Sequence, residues 1–301
     1  MHLLLPSIDE AQGFIPIRCG TFAAQSPAID ARAGSEQGTA WSLSVHQCRQ
    51  TSTIARGHHG WVRDDVRRAL DDYDRMADVY ANDADTDPIK VSYDRPTILA
   101  MAGDVRGKRV LDAGCASGNL TELLVERQAI VVGVDVNSRL VERARERLAD
   151  RAELVVADIS APMPFLESGS FDIVVASLVL HYLADWRPTL REFARILRPG
   201  GSLLVSTHHP TQDISITEPP APYFETVLLT DTWNKDGREY RVHFYHRPMS
   251  AIIDALRNAG FLVERIPEPV PDQSDFARVP ALYERMTRGP WFLFIHAVKT
   301  A

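Results

Sequence analysis

VLDAGCASGN, residues 110–119, is the stretch on which the reading of this chain turns. The apolar pair Val110-Leu111 predicts a buried strand, which ends on an acid, Asp112. Small residues follow from Ala113 to Gly118, and a helix resumes at Asn119-Leu120. Small side chains let a ligand lie against bare backbone, and the amides at a helix N-terminus lack intrahelical partners. A carboxylate beside them selects a ligand with a cationic or hydroxyl-bearing group. A Walker loop needs Lys-Ser/Thr after its second glycine, and Asn119-Leu120 stands there instead. A dinucleotide fingerprint spaces its glycines G-x-G-x-x-G, whereas these fall at Gly114 and Gly118, with Asp112 placed to repel a pyrophosphate. An adenosyl ligand carrying a sulfonium and an amino acid fits both the acid and the small loop.

Working outward, Ala129–Val134 reads as the next buried strand and ends on Asp135, 21 positions after Gly114. A βαβ unit brings that strand end beside the first loop, where an acid at about this distance can bind ribose hydroxyls. Asn137 or Ser138 then caps a helix with Leu140, Val141, Ala144 and Leu148 on one face. A third strand, Leu154–Ala157, ends on Asp158-Ile159, and a fourth, Phe171–Ala176, runs into SLVLHYL. A helix with Leu190, Phe193, Ala194 and Leu197 on one face stops at Pro199. Gly200-Gly201 turn the chain into a fifth strand that closes on His208-His209. Continuous apolar strands of this kind belong to a parallel sheet covered on both faces.

These blocks resemble the class I S-adenosylmethionine-dependent methyltransferases, whose first motif is [D/E]-x-G-x-G-x-G. Asp112, Gly114, Ala116 and Gly118 carry the match. Alanine at the middle glycine is a departure that trims the room for backbone approach without closing it. The resemblance implies an α/β, Rossmann-like doubly wound fold with a seven-stranded sheet, mostly parallel, its last strand antiparallel. It implies S-adenosyl-L-methionine as cofactor, with Asp112 and Gly114 near the amino-acid end. Asp135 falls to the ribose, Asp158 and Ile159 to the adenine, and the residues just after Ser177, Leu178 and His181, border the methyl group; Ala116, Gly118, Val136 and Ser177 complete the cofactor-binding set. The implied activity is methyl transfer to oxygen, nitrogen or carbon of a small-molecule acceptor, by in-line displacement at the sulfonium. Another adenosyl-dependent reaction on the same fold, or a non-catalytic S-adenosylmethionine-binding partner, are the alternatives.

Before this domain (104–301), Val62, Val66, Leu70, Tyr73, Ala77 and Tyr80 recur at helical spacing from Trp61, and Pro96 opens a short helix ending at Gly103. Residues 61–103 resemble the N-terminal helical lid of small-molecule methyltransferases, which makes Tyr80 the candidate to close over the sulfonium, with Tyr73 and Tyr93 behind it. The competing reading has each tyrosine simply packing between helices. Within the domain, the insertion 211–247 contains YFETVLLTDTW and REYRVHFYH joined by NKDG, a hairpin with Gly237 at the φ > 0 position. Val242 and Phe244 fall on its dry face, Arg241, His243 and Tyr245 on its wet one. Lying over the carboxyl ends of the strands, the hairpin is expected to cap the substrate; a solvent-facing hairpin or dimer arm is the alternative.

A hydroxyl or ammonium acceptor must lose a proton, and histidine suits that near neutral pH. His208 and His209 end the fifth strand, where alternation turns one of them to the pocket. His181 follows the fourth strand and His246 stands at the cap exit. For an electron-rich ring carbon the base is dispensable, and Tyr223, Phe224 and Trp233 would matter more.

The 301 residues are 45% hydrophobic and 24% charged, an ordinary globular balance. A net charge of −7 argues against a nucleic-acid partner, and Arg143, Arg145 and Arg147 read as a solvated helix face. Cys19, Cys48 and Cys115 lack metal-ligand spacing and fit a reducing compartment, so no metal site is expected. No apolar run is long enough to cross a membrane and no signal peptide is evident, so a cytoplasmic location is expected. Residues 1–60 are rich in Ala, Ser, Thr, Gln and Gly and read as a disordered leader. The expectation is that the natural start lies downstream; a native peptide spanning Ile8 to Arg18 would refute it. Expected partners are a small-molecule acceptor and, through the hairpin, a second copy of the chain.

Overall fold

A computed structural model describes residues 63–215 and 217–300. The expected leader, Trp61, Val62, Cys19 and Cys48 lie outside the described residues.

The described chain enters through α1 (Asp64–Asp74) and α2 (Ala77–Asp83), then takes a wide turn (Lys90–Asp94) into α3 (Arg95–Ala102). The spacing predicts one helix running from Trp61 through Tyr80, but the structure breaks it at Arg75-Met76. Side chains from distant sequence explain the break. Arg139 Nη1 donates to the Asp74 carbonyl at 2.9 Å, the position an i+4 amide would occupy in a continuing helix. Asn137 Nδ2 holds the Asp74 carboxylate (2.7 Å) and His243 N holds that of Asp72 (2.9 Å). The proline-to-glycine helix forms as α3, with Pro96 in its first turn and Gly103 at φ 62° ending it.

Five strands follow, β1 (Arg109–Ala113), β2 (Ile130–Asp135), β3 (Glu153–Val156), β4 (Phe171–Ser177) and β5 (Leu197–His208), interleaved with α4 (Asn119–Glu126), α5 (Ser138–Leu148) and α6 (Arg187–Ile196). Asn137 is the α5 cap, its side chain accepting from Leu140 N at 3.0 Å. The apolar pattern predicts α6 through Leu197; instead Leu197 is extended and pairs with Phe171. The residue before a proline avoids helix, and Arg198 precedes Pro199.

After β5 come α7 (Pro210–Ser215), the hairpin β6 (Val227–Lys235) and β7 (Arg238–His246), α8 (Met249–Asn258), β8 (Phe261–Arg265), α9 (Pro280–Met286) and β9 (Phe292–Lys299). The main sheet has the order β3-β2-β1-β4-β5-β9-β8, parallel from β3 to β5, with β9 antiparallel to both β5 and β8. This is the seven-stranded, doubly wound, Rossmann-like arrangement with its last strand reversed.

Alternation explains why the strands read as unbroken apolar runs. Leu111, Val132, Val174 and Leu203 face one core, with Phe193 and Leu256. Their neighbours Val110, Val131, Ile173 and Leu204 face the other, with Ile98, Leu124 and Phe294. The strand order reverses between β1 and β4, so their carboxyl ends splay their connections to opposite sides and leave a crevice.

The β6–β7 turn places Asp236 and Gly237 at φ 52° and 70°, the twist that suits a two-residue hairpin. Val242 and Phe244 are buried, as their alternation predicts, and so is His246. The hairpin braces α1 and α2: Arg68 Nη1 donates to Tyr245 Oη at 3.3 Å, His243 Nδ1 lies 2.8 Å from Asp72 Oδ2, and Lys235 Nζ reaches Asp83 at 3.1 Å. Among the described residues, no helix is long and apolar enough to cross a membrane.

Candidate active site

The crevice between β1 and β4 opens into a cavity of about 710 Å³, counting its open mouth. Its floor is the loop after β1. Gly114 sits at φ 83°, and a Cβ on it would stand 2.6 Å from Val179 Cγ2, so only glycine fits. Ala116 lies in the left-handed region at φ 47°, unusual for a residue with a side chain, and its N–H donates to Asp135 Oδ2 at 2.9 Å. Asp135 Oδ1 accepts from Asn137 N at 2.8 Å. One carboxylate at the end of β2 thus ties the small loop to the start of α5, with lone pairs left over for a ligand hydroxyl.

Tyr80, Gly114, Ala116, Asp135, Val136, Asp158, Ile159, Ser177 and Leu178 all line this cavity. Asp158 Oδ1 accepts from Ser160 N at 2.7 Å, which fixes its turn. Leu178 is held at φ 49° by its amide bonding the Ser206 carbonyl at 2.9 Å; strain in a bulky residue is concentrated at sites of function.

Two loop residues are placed otherwise. Asp112 lies beneath the loop, 1% exposed, with Thr121 Oγ1 donating to it at 2.6 Å. Burial pushes its pKa up to about 6, with the Asp135 charge acting in the same direction and the Thr121 hydrogen bond opposing. Gly118, at φ 79°, starts α4 where a Cβ would stand 3.0 Å from that of Ala144; it lets α4 pack on α5. The Cys115 thiol is buried, and burial pushes its pKa well up, so it is inert packing.

The three histidines expected to act as bases are not among the residues lining the cavity. His181 is 2% exposed and stacks on His208 with centroids 4.1 Å apart. Burial, with His208 and Arg247 nearby, holds it well below the usual histidine range. His208 Nδ1 approaches Asp213 Oδ1 at 3.3 Å. His209 Nδ1 pairs with Thr211 Oγ1 at 2.7 Å and its amide bonds the Trp291 carbonyl at 3.0 Å. His246 is buried between Asp213 (3.3 Å) and the Tyr223 carbonyl (2.9 Å). Strand alternation predicted one ring turned to the pocket; β9 and α7, docked on this end of β5, engage both instead. Nor does any described residue of the insertion line the cavity, and Phe224 is 87% exposed. The hairpin acts at one remove, through Trp233 set edge-on to Tyr73 with centroids 6.4 Å apart.

Three residues without a signal in the sequence stand close by. Tyr182, next to His181, lines the cavity, its hydroxyl 2.7 Å from that of Tyr73. Leu180–Tyr182 form one tight turn, in which adjacent side chains diverge by about 120°, so His181 enters the core and Tyr182 the site. Asp94, 2% exposed, accepts from Ser177 Oγ at 2.6 Å; burial raises its pKa despite that bond. Arg147, read as solvated, clamps the loop. Its Nε donates to the Ser117 carbonyl (3.1 Å), and its other nitrogens to Asp85 (2.7 Å) and Glu122 (3.0 Å).

Residues 111–205 match the methyltransferase domain family. A solved S-adenosylmethionine-dependent methyltransferase from Mesorhizobium loti shares 26% identity at TM-score 0.56, covering 71% of this chain and 99% of that one. A Listeria monocytogenes structure assigned to the same class shares 25% at TM-score 0.59, covering 69% and 97%. Demethylmenaquinone methyltransferase of Lactococcus lactis is 30% identical over 156 residues, 49% of this chain and 61% of that relative's length. Residues 111–205 are thus a methyltransferase domain, the chain is similar in fold and sequence to class I S-adenosylmethionine-dependent methyltransferases, and S-adenosylmethionine is its cofactor.

Proposed function

We propose that the chain methylates a small-molecule acceptor held between the sheet and the α1–α2 lid. When bound, S-adenosylmethionine supplies an electrophilic methyl group on a sulfonium. The cavity fits such a ligand on its own chemistry: Gly114 leaves a cradle that a Cβ would fill, and Asp135 presents a carboxylate beside it. In this reading Asp135 and Val136 hold the ribose and Asp158 and Ile159 flank the adenine. Gly114, Ala116 and Gly118 shape the loop, and Asp112 anchors it from below near the amino-acid end. Ser177 and Leu178 border the transferred methyl group, and Tyr80 closes the chamber from α2. The observation that carries the reading is the two-part wall: an acid-tipped half from β1, β2 and the turn after β3, facing Val66, Ala69, Leu70 and Tyr73 of α1. Enclosing both reactants excludes water and fixes their approach.

The positions of His181, His208 and His209 do not support a base role for them, and the proton the acceptor loses passes to water. The test is incubation with methyl-labelled S-adenosylmethionine and a cell extract split into an ultrafiltrate and a macromolecular fraction. Label passing to the ultrafiltrate's molecules is the expected result. Label in the macromolecules, or binding with no transfer in either fraction, would overturn it.

A further inference from the structure

The charges in the cavity wall are distributed unevenly, and that constrains the acceptor. Of the 19 described residues that line it, the only acids are Asp135 and Asp158, and none is Lys, Arg or His. Both acids belong to the adenosyl half under the reading above, on which this inference rests. The other half is apolar: Val66, Ala69 and Leu70 from one stripe of α1, with Val179 and Leu183 opposite. Its polar feature is the Tyr73–Tyr182 hydroxyl pair, 2.7 Å apart. Burial pushes both pKa values up, with Tyr182 and Tyr80 adding to it at Tyr73, and with Tyr80 adding to it and the Tyr73 hydrogen bond opposing it at Tyr182, so the pair is a neutral dipole that can still donate one hydrogen bond. Lys90 is not in the wall; its ammonium lies 3.5 Å from the centroid of the Tyr80 ring.

The geometry points to an uncharged, apolar or aromatic acceptor carrying one hydroxyl or carbonyl, seated on the α1 stripe with that group on the Tyr73–Tyr182 pair. A carboxylate or phosphate there would be desolvated with no cationic side chain in the described wall to pair with it, and the sulfonium that could offset it becomes a neutral thioether once the methyl group is transferred, which is unfavourable. A cationic acceptor would share the chamber with a sulfonium. Hydrocarbon walls with a few convergent polar groups are the usual build of a site for such a molecule.

The test titrates two probes of one shape, 2-naphthol and 2-naphthoate, into the S-adenosylhomocysteine-loaded full chain by calorimetry. The expected result is 2-naphthol binding more tightly by about tenfold or more. Leu70→Lys, checked for folding by circular dichroism, sets an ammonium in the α1 stripe and should narrow or reverse that ratio. Equal or tighter binding of 2-naphthoate to the natural chain overturns the inference, as does absence of 2-naphthol binding. An unchanged ratio in L70K overturns the placement on α1. Failure of S-adenosylhomocysteine itself to bind would instead overturn the adenosyl reading beneath it.

Discussion

Replacing Asp112 by asparagine should stabilise the protein at alkaline pH, although it alters the first acid of the cofactor motif. The carboxyl is 1% exposed, and burial raises its pKa from the ordinary 3.8 to about 6. A displacement of about two pH units, at ~1.4 kcal/mol for each, corresponds to about 3 kcal/mol. The sign follows from proton counts. Between the two values the folded chain holds a proton that the unfolded chain has released, so stability falls as pH rises through that window and is level above it. In D112N the amide oxygen still accepts from Thr121 Oγ1 and the side chain carries no charge. Its NH2 group must be turned from Thr121's donors, however, giving back about 1 kcal/mol. The variant should therefore exceed the natural protein by about 2 kcal/mol at pH 8, with the gap closing toward pH 4. Urea unfolding of both proteins across that range measures it directly. A variant less stable at pH 8, or a gap independent of pH, would refute the burial argument.

Gly114→Ala combines φ 83° with a methyl 2.6 Å from Val179 Cγ2 and should cost about 2 kcal/mol. Urea unfolding should show part of that recovered in a Val179→Ala background, and equal loss in both would contradict the clash. Arg147→Met removes the clamp from the Ser117 carbonyl, Asp85 and Glu122. It should weaken S-adenosylhomocysteine binding by calorimetry while the circular dichroism spectrum is kept; unchanged affinity counts against a clamping role. Asp213→Asn breaks the link between α7 and β7. Burial would raise the Asp213 pKa, but His208 and His246 outweigh it and hold it below the usual carboxylate range. Burial likewise opposes a charge on His246, yet Asp213 and the Tyr223 carbonyl raise its pKa overall. The pair's contribution is thus lost as pH rises through the raised histidine value, and as it falls through the lowered acid one. Thermal melts should show a larger penalty for D213N at pH 6 than at pH 9; equal penalties would discount the pairing.

The sheet was readable because each of its strands carries a local signal. Val110-Leu111, Val131-Val132 and Val174-Val175 are apolar on both faces because helices cover both, and the acids Asp112, Asp135 and Asp158 fall at or just beyond the carboxyl ends of β1, β2 and β3. The hairpin was readable from Gly237 and from the alternation of Val242 and Phe244. What escaped depends on partners far away in the chain. Nothing near Tyr73 announces that Arg139 and Asn137 will interrupt the helix after it. His208 sits at the correct edge, but its neighbours are set by β9 and α7. In LVLHYL the histidine drew attention for its chemistry, while a single tight turn sends its neighbour Tyr182 to the cavity instead. Asp94 carried no signal at all, being one acid among many until the fold brings Ser177 to it.

Asp135 gripping the adenosyl ligand at the end of β2 is the claim on which the rest stands. Its direct measurement is calorimetric titration of S-adenosylhomocysteine into the natural chain and into Asp135→Ala, with circular dichroism confirming that the variant is folded. The natural chain should bind and the folded variant should bind about tenfold more weakly or worse. Equal affinity in the two proteins would contradict it.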